Sequence, residues 1–117
     1  MAINRKVLIV EDSISLSAIY SSYLVTGDYN IQVAHSLFDA RLKWEKFLPD
    51  FVFLDIELGD GNGLDLLEEM SDQENRAAVF VITGHDSREY VAEVIRLGAA
   101  GYITKPLDST SLRRVLP

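Results

Sequence analysis

Five side chains in this 117-residue sequence are of types that could do chemistry together: Glu11, Asp12, Asp55, Thr83 and Lys105. Each follows a short apolar run. KVLIV (6–10) runs into Glu11-Asp12, FVFL (51–54) into Asp55, AVFVI (78–82) into Thr83, and GYIT (101–104) into Lys105. A carboxylate where an apolar run meets a Gly-rich, acidic loop has one apolar side and one wet side. That suits a nucleophile or a metal ligand. Three carboxylates brought together repel one another, and Lys105 offsets only part of their charge. A divalent cation would relieve the rest. Hard oxygen ligands with open positions suit Mg²⁺, which keeps several waters and takes few carboxylates. A cation and an ammonium around one carboxylate make a clamp for a phosphoryl group. Asp55 is then placed for in-line attack, and the Thr83 hydroxyl can donate to a phosphoryl oxygen. A carboxylate nucleophile needs no general base, and the set holds no other strong one.

This chemistry requires the apolar runs to be strands that end on one edge of a sheet. A short continuous apolar run reads as a buried parallel strand, although period alone does not distinguish it from a buried helix. Helical patterns separate the runs. The first spans Ile14 to about Val25, capped by Ser13 or Asp12. The second spans Leu37 to Phe47, behind Ser36 and before Pro49. A short third covers Leu64 to Met70, and Asn75 to Ala77 is a turn. A fourth runs from the Ser87 cap to about Leu97 and ends at Gly98. A last one opens at Ser109 and reaches Leu116. Tyr29 to Ala34 is a weaker second strand, with Ile31 and Val33 alternating. On the first helix Leu16, Ile19, Tyr20 and Tyr23 share a face that should be buried, and Ile14 points away from it. On the fourth, Val91, Val94 and Ile95 should face inward. Trp44 should pack the second helix on the sheet.

Strand and helix alternate five times. This predicts an α/β doubly wound parallel sheet with helices on both faces, in the flavodoxin-like order 2-1-3-4-5. Right-handed crossovers bring the chemistry-bearing strand ends to one edge, with the first and third strands adjacent. Ligands of such sheets bind outside the carboxyl ends of the strands.

The formal net charge of −7 argues against nucleic-acid binding and favours a cation or a basic protein surface as partner. The absence of Cys excludes disulfides and thiol chemistry. MAINRKVLIVED is a strand rather than a signal peptide, and no apolar stretch approaches the roughly 18 residues of a membrane span. No repeat, low-complexity segment or linker divides the chain, so residues 1–117 are expected to form one domain, and a cytoplasmic location is expected.

The motifs VEDS, FLDIELGDGNGLDLL, VITG and GAAGYITKP resemble, in order and spacing, the receiver domain of two-component response regulators (the CheY-like fold). Each motif alone is weak; together they cover essentially the whole chain. The resemblance implies that Asp55 is the phosphoacceptor, charged by a histidine kinase or histidine phosphotransfer protein. It implies that Asp12 binds Mg²⁺ directly, Glu11 through water, and Glu57 through its backbone carbonyl. Thr83 and Lys105 would bind the phosphoryl group. Tyr102 would be a switch aromatic that turns inward when Thr83 moves. The Lys105–Pro106 bond would be cis. Such a domain is not a metabolic enzyme; it catalyses its own Mg²⁺-dependent phosphorylation and dephosphorylation. The face of the fourth helix, fifth strand and last helix would change, and a homodimer through it is conceivable. Ile14 and Pro106 are candidate docking contacts for the phosphodonor. Gly59 departs from the Pro often found there, which predicts a more mobile loop, whereas Gly84 leaves room for phosphate. Glu57 and His85 hold positions that tune the lifetime of the phosphorylated form.

Other readings stand beside these. Glu11-Asp12 could serve the dipole of the helix that follows. Lys105 could be a surface lysine before a turn, Thr83 a strand-end hydroxyl, and Tyr102 an edge β-former. His35 and His85 read as solvated loop residues, Asp60 and Asp65 as loop and cap acids. A degenerate receiver would bind protein without phosphate, but the intact set of five speaks against it. A haloacid dehalogenase-type phosphatase would want Asp-x-Asp after the first strand. An FMN carrier would want a Ser/Thr/Gly loop where Glu11-Asp12 stand. The short last helix is compatible with a stand-alone regulator, a phosphorelay intermediate or a piece of a longer protein.

Overall fold

The apolar runs form the strands of one parallel sheet: β1 (Arg5–Val10), β2 (Tyr29–Ala34), β3 (Phe51–Asp55), β4 (Ala78–Thr83) and β5 (Gly101–Thr104). The structure is a computed structural model that describes residues 5–25, 27–72, 77–84 and 87–116. The sheet order is β2-β1-β3-β4-β5, the flavodoxin-like arrangement expected from the alternation. Ile9 pairs with Phe53 and Phe53 with Phe80, so the three central strands are in register at mid-sheet. The helices are α1 (Ile14–Ser22), α2 (Leu37–Phe47), α3 (Gly63–Ser71), α4 (Arg88–Arg96) and α5 (Ser109–Arg114).

Two cores lie on opposite sides of the sheet, because successive strand residues point to opposite faces. Val7, Ile9, Phe53, Phe80, Ile82 and Ile103 face Tyr20 and Leu24 of the α1 segment and Leu112 of α5. Leu8, Val10, Val52, Leu54, Val79 and Val81 face α2, α3 and α4 through Ala40, Leu66, Met70 and Val94. Trp44 packs on this second core as expected. Burying a side chain such as Phe53 contributes roughly 2–3 kcal/mol, and strands covered on both sides account for the unbroken apolar runs.

The helix starts follow capping chemistry. Ser13, Ser36 and Ser87 accept from Leu16 N, Asp39 N and Tyr90 N. Gly98, at φ 110°, follows the last residue of the α4 segment and ends it as glycine does at C′. α5 opens at Ser109, as expected, behind the cap Asp108, which stands in a reciprocal pair with Ser111.

The expected buried face of α1 needs correction. Ser17, Tyr20 and Leu24 are buried, whereas Leu16 and Ile19 are exposed. Hydropathy assigns a serine to solvent, but Ser17 Oγ donates to Ile14 O at 2.9 Å and so sits in the interior at little cost. α1 also ends at Ser22, short of Val25, and α5 at Arg114. On α4, Val94 is buried, but Ile95 faces out. The expected turn at 75–77 and His85 lie largely or wholly outside the described residues.

Candidate functional site

The carboxyl ends of β1, β3, β4 and β5 bring the five chemistry-bearing residues to one rim. Asp55 closes β3, beside Ile82 in the register, so Thr83 comes one step further along the neighbouring strand. Lys105 follows β5, and its backbone N–H donates to Thr83 O at 2.8 Å. Glu11 follows β1, where its N–H donates to Ala34 O at 3.0 Å.

Asp55 is 2% exposed. Its Oδ2 accepts from Lys105 Nζ at 3.0 Å, and its Oδ1 accepts from Glu57 N at 3.1 Å. Glu11, Asp12 and Asp55 each offer a carboxylate oxygen, and these lie within 4.8 Å of one another. Glu11 and Asp55 are buried; Asp12 is exposed. Thr83 is buried beside them.

The electrostatics fit a cation. Burial pushes the Glu11 carboxyl up to about 7; the Ser13 N–H, donating to Oε2 at 2.9 Å, opposes this, and the neighbouring Asp55 and Asp12 carboxylates add to it. Among the described residues, Glu11 Oε1 is the buried side-chain oxygen with no hydrogen-bond partner. A buried carboxylate oxygen without a partner, in a cluster with two more acids, is a donor set for a small hard dication. Partial burial pulls Lys105 down, but the hydrogen bond and charge of Asp55, then the charge of Glu11, outweigh it and hold the ammonium above its ordinary value.

The remaining predicted residues lie around this rim. Tyr102 is on the edge strand β5, on the same side as Val81 and Thr83, and is exposed. Lys105–Pro106 is cis. Ile14 opens α1 with 73% of its surface exposed, and Pro106 is exposed as well. A Cβ on Gly84 would meet nothing within 4 Å, so space is open next to Thr83.

Two contacts were not legible in advance. His35 Nε2 lies 3.1 Å from Ser17 Oγ, so this histidine ties the end of β2 to α1 rather than standing free in a loop. Asp60, read as a loop acid, bonds the first turn of α2. The acid was visible in GDGNG; its partner, more than twenty residues earlier, was not.

The sequence matches the family model of the response regulator receiver domain over residues 7–116. The transcriptional regulatory protein DpiA of Escherichia coli is 33% identical over 111 residues, 93% of this chain and 49% of that protein. The alginate biosynthesis transcriptional regulatory protein AlgB of Pseudomonas putida is 31% identical over 108 residues, 92% of this chain and 24% of that protein. The chain thus spans about a quarter to a half of the length of these relatives. Among solved structures, the chemotaxis response regulator CheY4 of Vibrio cholerae superposes with a TM-score of 0.90 at 26% identity, covering 97% of both chains. The signal receiver domain of a LuxO repressor protein from Vibrio parahaemolyticus gives 0.90 at 29% identity, covering 96% of this chain and 86% of that one.

Proposed function

The chain belongs to the receiver domain family of two-component response regulators, and from that premise we propose that Asp55 is its phosphoacceptor. The observation that carries this reading is the buried Asp55 carboxylate bonded to Lys105 Nζ at 3.0 Å beside two further acids. Receiver domains of response regulators are phosphorylated by histidine kinases, which supports a histidine kinase or a histidine phosphotransfer protein as donor. The degenerate alternative loses its ground, because all five residues meet at one rim.

An Asp55 carboxylate oxygen attacks phosphorus in line. The new O–P bond forms as the P–N bond breaks, and its electron pair returns to the donor imidazole. Lys105 and the Thr83 hydroxyl take up the phosphoryl oxygens. Asp12 and Asp55 would hold Mg²⁺, with Glu11 acting through water and Glu57 through its carbonyl. When bound, the ion neutralises charge on the transferring group. Hydrolysis of the acyl phosphate at the same rim returns the domain to its resting state.

Tyr102 faces outward here, and Thr83 shares its side of β4–β5. Phosphorylation would draw Thr83 toward Asp55 and let Tyr102 turn inward, changing the α4–β5–α5 face, the surface through which a homodimer would form. The exposed Ile14 and Pro106, flanking the rim, would contact the phosphodonor. Residues 1–117 would act as one receiver unit. No described helix is long and apolar enough to cross a membrane.

Incubation with a small phosphodonor and Mg²⁺ should give acid-labile, hydroxylamine-sensitive labelling of the wild-type chain and none of Asp55→Asn. Labelling that persists in the variant would end this reading.

A further inference from the structure

The loop after Asp55 forms a two-residue antiparallel ribbon, Glu57–Leu58 against Gly61–Asn62, with Gly59 and Asp60 at its tip. The base of this hairpin is fixed from β3. Glu57 N donates to Asp55 Oδ1, and Gly63 N donates to Ile56 O at 2.8 Å. The tip is fixed from a different element. Both oxygens of Asp60 accept backbone amides at the start of α2: Leu37 N to Oδ1 at 2.9 Å and Phe38 N to Oδ2 at 3.2 Å. Ser36 Oγ takes the third orphan amide, Asp39 N, at 3.0 Å. The contact is tight, since a Cβ on Gly61, at φ 152°, would stand 2.8 Å from Leu37 Cδ1. Next to Asp60, Gly59 lies against Asp12: a Cβ on it would stand 4.0 Å from Asp12 Oδ2. A glycine at the tip gives the chain little stiffness of its own. Stiffness must then come from contacts outside the tip, and the Asp60 carboxylate makes two of them.

We infer that Asp60 is a positioning residue of the cation site: by fastening the hairpin tip to the first turn of α2, it holds the loop that lies against Asp12. The hydrogen bonds from Leu37, foremost, and from Phe38 keep the Asp60 carboxyl below its ordinary range. The inference rests on the proposed cation site, and its test separates the two.

Mg²⁺ alone is titrated calorimetrically into the full chain and into Asp60→Ala, Asp60→Asn, Ser36→Ala and Asp12→Ala. Ser36→Ala removes a cap from the same helix end without touching the hairpin. Both it and Asp60→Ala should lower Tm by a few °C. Asp60→Ala should weaken Mg²⁺ binding about 10-fold, the lower end of the effect of outer partners on metal affinity, while Ser36→Ala leaves it unchanged. Asp60→Asn, which keeps one acceptor oxygen, should fall between, and it carries the comparison if Asp60→Ala does not fold. Amide exchange at 57–61 in the metal-free chain should quicken in Asp60→Ala but not in Ser36→Ala. Wild-type binding that disappears in Asp12→Ala yet is equal in Asp60→Ala, Asp60→Asn and Ser36→Ala overturns this inference alone. Absent wild-type binding, or binding that survives Asp12→Ala, overturns the proposed cation site and this inference together.

Discussion

Arg41 of α2 and Glu69 of α3 meet in a forked pair, Nη2 to Oε2 at 2.8 Å and Nε to Oε2 at 3.0 Å, with both side chains more than 40% exposed. At the rim, Glu11 and Asp55 are 1% and 2% exposed, Asp12 crowds them, and Lys105 is the cation in contact. The surface pair has matched charge and good geometry but is cheap to lose, because water solvates either partner left behind. The rim has unmatched charge and, at Glu11 Oε1, a buried oxygen without a partner. The exposed pair leaves its charges in water at little cost, whereas the rim holds charge that folding alone would discard.

Breaking the rim should therefore have the larger effects. Lys105→Ala should slow labelling of Asp55 by a small phosphodonor at least about 100-fold, as loss of a group that stabilises transition-state charge does. Rates over a donor titration would check this; a change under threefold would remove Lys105 from the chemistry. Its effect on stability should be smaller, about 2 kcal/mol, because the Lys105 side chain is 32% exposed and its loss still leaves Asp55 buried with one fewer partner.

Glu11→Gln should act in the opposite direction on stability. Glu11 ionises at about 7 in the fold against 4.5 as a free side chain, so the native state binds the extra proton. Its contribution is present below 4.5 and is lost as pH rises through about 7. Gln carries no such charge. In chelator, the variant should match the wild type near pH 4.5 and exceed it by about 1–3 kcal/mol above pH 7, by urea unfolding at each pH. The same variant should gain less from added Mg²⁺. A wild type that is the more stable above pH 7 in chelator would contradict the view that Glu11 is held there at a cost.

The smallest effect belongs to the surface. Glu69→Ala should cost no more than about 0.5 kcal/mol and leave labelling unaltered. A larger loss would mean that the α2–α3 pair carries structural weight and that the contrast with the rim is overdrawn.

Most of the frame was readable in the sequence because strands covered on both sides write themselves as apolar runs. The end of each run then located Glu11, Asp12, Asp55, Thr83 and Lys105. What escaped was of two kinds. Ser17 lies in the interior because a hydroxyl can be satisfied by its own helix, and no hydropathy pattern marks that. Asp60 and His35 act through partners distant in sequence, Leu37 and Phe38 for one and Ser17 for the other, so their roles exist only once the sheet has brought the elements together.

Borohydride reduces an acyl phosphate to an alcohol with loss of phosphate, so it writes the site of attachment into the chain. After phosphorylation by a small donor with Mg²⁺, borohydride treatment and peptide mass spectrometry, homoserine should stand at position 55 and nowhere else. A reduced residue at 11, 12 or 57, or an unreduced phosphate on another side chain, would contradict the assignment of Asp55.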